Sequence, residues 1–160
     1  WDFLFEAAGP GCTYVLNERL ATSMKGAMLK EWPRLQGVGL HDWYCYAFAR
    51  SHGYRWFIDS LPSMDYRQHE NNQVGANTGL GSLISRYKTI HDGWWFNQVQ
   101  LITLLVGQAD EAFVRTWLPL GRRQLIKLSF SASKCRRRAR DKVFFFCICW
   151  ATALLGKKVK

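Results

Sequence analysis

The chain has 160 residues, 48% of them hydrophobic and 21% charged, which gives room for one domain with a core and excludes wholesale disorder. Its formal net charge is +10, unevenly spread: residues 1–114 carry nine Lys/Arg against eleven Asp/Glu, and residues 115–160 carry thirteen against one. A near-neutral body therefore precedes a basic tail. The turn Gly9-Pro10-Gly11 and the β-branched, aromatic run Cys12–Leu16 predict a buried strand. Asn17 then caps a helix over about 18–30, with Leu20, Met24, Ala27 and Met28 on one face. After the loop at Pro33 and Gly37-Val38-Gly39, the spacing of Trp43, Tyr46 and Ala47 predicts a helix from His41 to about Ser51, stopped near Gly53.

Tyr54–Ile58 is a second strand candidate, and a short extended piece follows through Met64–Gln68. Beyond Gly75 the pattern turns helical, over about 78–91, 94–107 and 109–118. The first half thus reads as α/β and the second as helical. Five cysteines with no C-x-x-C pair suit a reducing compartment. The opening Trp-Asp-Phe-Leu-Phe-Glu lacks a start Met and a basic leader, so position 1 is expected to be interior to a longer protein.

Four groups of residues could carry chemistry. Glycines at 9 and 11, beside Cys12, would let backbone approach a ligand closely, or would simply make a turn; the G-x-G-x-x-G spacing of a dinucleotide fold is absent. In His41-Asp42-Trp43 the carboxylate is either a helix-start residue favoured by the dipole or a general base. Arg67, His69 and Asn72 sit in the polar run Tyr66–Asn72, where guanidinium and imidazole suit phosphate oxygens or a divalent ion, unless the run is only a solvated loop. Finally, Lys134 and Arg136–Arg140 precede the apolar stretch Val143–Gly156, which Lys157, Lys158 and Lys160 follow. As a helix that stretch is about 21 Å long, short of the roughly 30 Å of a bilayer's hydrocarbon. It suits a segment dipping into the cytoplasmic leaflet, or a buried terminal helix behind a basic linker.

Taken in order, Phe5–Val15, His41-Asp42-Trp43, Tyr54–Asp59 and Tyr66–Asn77 resemble family 2 glycosyltransferases, closest to rhamnosyltransferase-like enzymes of bacterial surface-polysaccharide assembly. The resemblance covers about residues 3–77. It implies the C-terminal portion of a GT-A (nucleotide-diphospho-sugar transferase) fold over 1–77; residues 78–160 match only in general character, and their tail reads as a helical, membrane-associated extension. It implies inverting transfer of a sugar, with rhamnose the one suggested, from a nucleotide-sugar donor to a hydroxyl of a saccharide or lipid-linked saccharide. Asp42 would be the catalytic base. Gly9, Gly11, Cys12, His41 and Trp43 would contact substrate, and Arg67, His69 and Asn72 would face the leaving diphosphate.

His69 would also approach a divalent metal, Mg or Mn, whose main ligands should precede residue 1; the family's Asp-any-Asp motif is absent from this chain. The chain alone is therefore expected to be inactive, and the whole enzyme to sit in the cytoplasm, peripheral on the inner face of the cell membrane. A non-catalytic basic module binding membrane or nucleic acid is the alternative. Against nucleic acid, the basic residues flank an apolar run instead of alternating with stacking aromatics.

Overall fold

The computed structural model describes residues 1–61 and 93–155. The helix α1 (Glu18–Lys30) starts where the Asn17 side chain accepts the Leu20 N–H at 2.9 Å, the cap its sequence predicts. A short turn of helix, α2 (Trp32–Leu35), follows, with Pro33 in its first turn. Then comes α3 (His41–Ser51), which ends just before Gly53, at φ +78°. The second half supplies α4 (Trp94–Leu105), α5 (Ala112–Arg115), α6 (Arg122–Ser129), α7 (Ala132–Cys135) and α8 (Ala139–Leu155). The helix expected over 109–118 is thus only one turn long, and the piece at Met64–Gln68 and the helix over 78–91 lie outside the described residues.

Two strand expectations are corrected. Gly11–Thr13 forms a 3-10 turn, Tyr14 is extended without a ladder, and Tyr54–Ile58 is irregular; among the described residues all regular structure is helical. The aromatic residues that favour strands pack on one another here instead. Tyr14 meets Trp56 edge-on at 4.8 Å between ring centroids, and Trp56 meets Tyr46 at 5.3 Å. A preference for strands is mostly a preference for half-buried packing, which these contacts satisfy without a sheet.

One core joins the two halves. Phe5 is fully buried among Trp117, Phe145 and Trp95, at centroid distances of 5.3, 5.5 and 6.3 Å. Trp43 of α3 stacks on Trp95 of α4 at 6.0 Å and 17° between planes, while its indole N–H donates to Phe3 O at 3.1 Å. The described residues on either side of position 77 therefore share their apolar contacts. Most of the apolar stretch after the basic run belongs to α8, which buries Phe145, Cys149, Thr152 and Ala153 against the rest of the molecule.

The basic tail is also partly turned inward. Glu6 accepts from Arg136 Nη1 (3.5 Å) and from the Arg137 backbone N–H (3.0 Å), and pairs with the Arg137 guanidinium at 3.1 Å from Nε. Arg137 further donates to Asp2 at 3.4 Å and to Ala7 O at 2.6 Å. Arg136 lies over the rings of Trp95 (4.9 Å) and Phe145 (5.4 Å), and burial pulls its pKa down while Glu6 opposes that pull. Two arginines read as a surface charge run thus fasten the tail to the first turn of the chain.

Candidate active site

The turn after Gly9 and the start of α3 come together. Pro10 O accepts from Thr13 N–H at 3.0 Å and from the Thr13 hydroxyl at 2.8 Å, which curls the chain. The Tyr14 hydroxyl closes the same loop: it donates to Gly9 O at 2.8 Å and accepts from Gly9 N–H at 3.2 Å. Gly11 then rests on α3 so closely that a Cβ there would stand 2.7 Å from His41 Nε2 and 3.1 Å from Asp42 Cβ. A side chain at this position would push the exposed His41 ring aside and crowd Asp42.

Asp42 is half-buried in the first turn of α3, where a negative charge faces the positive end of the helix dipole. Among the described residues its carboxylate accepts one hydrogen bond, from the Trp43 N–H at 2.8 Å. Its charge reaches two neighbours. Burial first, and Asp42 second, push the Tyr14 hydroxyl up to about 12; the Cys45 thiol is raised by the same two causes in the same order. Behind the site, the Gln98 side chain of α4 accepts from Gly39 N–H and donates to Gly37 O, both at 2.9 Å. That clamp fixes the loop leading into His41 and Asp42.

Of the site residues expected from sequence, Gly11 meets His41 and Asp42 directly, Gly9 and Cys12 lie in the same turn as Gly11, and the side chains of Cys12 and His41 are exposed. Trp43, at 2% exposure and with its indole N–H bonded to Phe3 O, is packed in the core beneath this junction. Arg67, His69 and Asn72 lie outside the described residues. Among the described residues no group of three His, Cys, Asp or Glu side chains is placed to hold a metal ion; His69, the residue expected to approach one, lies outside them. Sequence reasoning missed Tyr14 and Gln98. Tyr14 looked like a strand residue, and a glutamine in an apolar helix face gives no sign of which loop it will bond.

Two measurements check this arrangement. Cys12 and Cys147 are exposed, whereas Cys135 and Cys149 are buried and burial raises both their thiols, that of Cys135 to about 12. A thiol reagent on the native chain should therefore label Cys12 and Cys147 quickly, and Cys135 and Cys149 only on unfolding, as read by mass spectrometry of digested protein. For alkaline stability, the thiols start from 9.0 and the tyrosines from 10.0, and the fold raises Tyr14, Tyr44, Tyr46, Cys45 and Cys135. The unfolded chain then loses its protons first. The stability these groups contribute is full below pH 9 and declines from there towards pH 12. The thermal midpoint should fall steadily across that window, and a midpoint that stays level would contradict the burial described.

No protein-family profile matches the chain, and no solved structure does. Over 144 residues, 90% of its length, the chain is 40% identical to the dTDP-rhamnosyl transferase RfbG of Shigella flexneri. The chain spans about half (49%) of that relative. An alignment of 144 residues necessarily runs well past residue 77, so the similarity takes in much of the helical half as well.

Proposed function

We propose that this chain is part of a glycosyltransferase of the rhamnosyltransferase kind and supplies the acceptor side of its catalytic site. The observation that carries the reading is the 40% identity to a dTDP-rhamnosyl transferase over nine-tenths of the chain. The junction of the Gly9–Thr13 turn with His41 and Asp42 gives that reading a place to act. The donor is a dTDP-activated sugar, with rhamnose the first candidate, and the acceptor is a hydroxyl of a saccharide or lipid-linked saccharide in bacterial surface-polysaccharide synthesis. The enzyme works in the cytoplasm. Its fold is of the GT-A, family 2 kind, with the nucleoside-binding elements supplied by a longer polypeptide; the 160 residues by themselves do not turn over.

The chemistry is a single displacement. The acceptor hydroxyl gives its proton to the Asp42 carboxylate as its oxygen bonds to the anomeric carbon. The bond from that carbon to the diphosphate breaks on the opposite face, so configuration inverts and dTDP leaves with the electron pair. Asp42 suits this role because its helical turn orients it and one carboxylate hydrogen bond, from Trp43 N–H, anchors it. His41 and Cys12 flank the acceptor, and the backbone at Gly9 and Gly11 lets it approach. Arg67, His69 and Asn72 are assigned to the departing diphosphate, where cationic and amide donors offset developing charge. No step is assigned to a metal.

The test is to purify the polypeptide carrying the whole catalytic domain and to incubate it with dTDP-rhamnose and candidate saccharide acceptors. Acceptor-dependent release of dTDP, with a rhamnosylated product seen by mass spectrometry, is the expected result. A folded protein that neither releases dTDP nor modifies any acceptor would overturn the reading.

A further inference from the structure

The outer side of α8, together with the end of α6, forms an apolar ridge that no described residue covers. From Val143 to Leu155 the one hydrogen-bonding side chain that is neither aromatic nor a thiol is Thr152, and it faces inward with Phe145 and Cys149. Val143, Cys147 and Leu154, spaced four and seven apart, share the opposite side and are exposed, Val143 at 67%. Phe144 and Phe146 flank them, both exposed, and Phe130 at the end of α6 stands 72% exposed with its ring edge-on to Phe146 at 5.8 Å. Phe146 in turn meets Trp150 at 6.2 Å, so three aromatic rings run together along the ridge.

Basic residues border this ridge. Arg140 lies three and four positions before Val143 and Phe144, on the same side of α8, and Lys127 lies three before Phe130 on α6. Arg122, Arg123 and Arg138 are also exposed nearby in sequence, at the starts of the two helices. The tail's charge is thus divided: Arg136 and Arg137 serve the fold, while these others face solvent around an apolar strip.

We infer that this face of α6 and α8 docks on the surface of an anionic lipid bilayer, lying in the interface with its aromatic ridge among the lipid chains and its arginines and lysines on the headgroups. An apolar strip with aromatics, edged by cations, is what such an interface accepts. The docking lies flat, because half of α8 is already packed in the core and no described helix is long and apolar enough to cross a membrane. A second copy of the chain fits less well, since pairing this face with itself would bring two basic borders together. The inference concerns a different face from the Asp42 junction and does not depend on sugar transfer.

Sedimentation of the chain with phosphatidylcholine vesicles, with and without phosphatidylglycerol, tests it without any sugar donor. Binding should require phosphatidylglycerol and weaken with salt. Phe144→Ser combined with Phe146→Ser should weaken binding about tenfold or more, through lost apolar burial. Arg122→Glu combined with Arg123→Glu, both at exposed positions, should weaken it comparably at low salt and serves if the aromatic variant fails to fold by circular dichroism. Binding that ignores lipid charge, binding that neither pair of substitutions alters, or no binding at all would overturn the inference. So would self-association through this face, or RNA binding, without vesicle binding.

Discussion

Asp42→Asn, in a polypeptide carrying the whole catalytic domain, is expected to lower kcat for sugar transfer by about a hundredfold to ten-thousandfold, the usual contribution of a positioned base. The substitution isolates chemistry from folding. Asparagine keeps a side-chain oxygen able to accept the Trp43 N–H that Asp42 now accepts at 2.8 Å, so the first turn of α3 stays satisfied. What is lost is the negative charge, worth about 0.3–1 kcal/mol beside a helix N-terminus, and the ability to take a proton. Steady-state dTDP release beside a thermal melt separates the two. If the variant turns over like the native protein, Asp42 is a helix-start residue and the base lies elsewhere.

The second large effect is on stability. Glu6→Ala should cost about 3–5 kcal/mol, because it leaves the Arg136 side chain, 18% exposed, without its carboxylate and deprives Arg137 of one hydrogen bond and one ion pair. The Arg136 Nε already has no partner among the described residues, so the guanidinium has little in reserve. For a chain of this size that loss is a fall of roughly 10 °C or more in the thermal midpoint. Arg136→Met, which removes the buried charge while keeping bulk between Trp95 and Phe145, should cost clearly less. Equal losses for the two variants would mean that packing, not charge, holds the tail to Glu6.

The parts of this fold that could be read ahead of the coordinates are those decided within a few residues. Asn17 announces α1 because its side chain caps the helix three residues on, and Gly53 marks the end of α3 because it takes a positive φ. The residues that misled are those whose partners lie far along the chain. Cys12–Leu16 and Tyr54–Ile58 have the composition of strands, but Tyr14, Trp56 and Tyr46 find one another and no ladder forms. Arg136 and Arg137 look like surface charge because nothing nearby in sequence says that Glu6 and Asp2, some 130 positions earlier, will accept them.

The same distinction holds at the candidate site. The family resemblance implies that the glycine turn and the His41-Asp42-Trp43 segment share one site, and Gly11 does lie against Asp42. Which side each residue turns was not legible. Trp43, next to the carboxylate in sequence, points into the core because a large aromatic ring stacked on Trp95 gains more from burial than from solvent. The Tyr14 hydroxyl and the Gln98 clamp, which shape the turn and the loop behind Asp42, follow from tertiary contacts alone.

The most direct test is a structure of the complete catalytic domain with dTDP and an acceptor saccharide bound. The account predicts an Asp42 carboxylate oxygen within about 3.2 Å of the reacting acceptor hydroxyl, on the side of the sugar site away from the diphosphate. Its contradiction would be an acceptor seated elsewhere, with Asp42 and the Gly11 turn touching neither ligand.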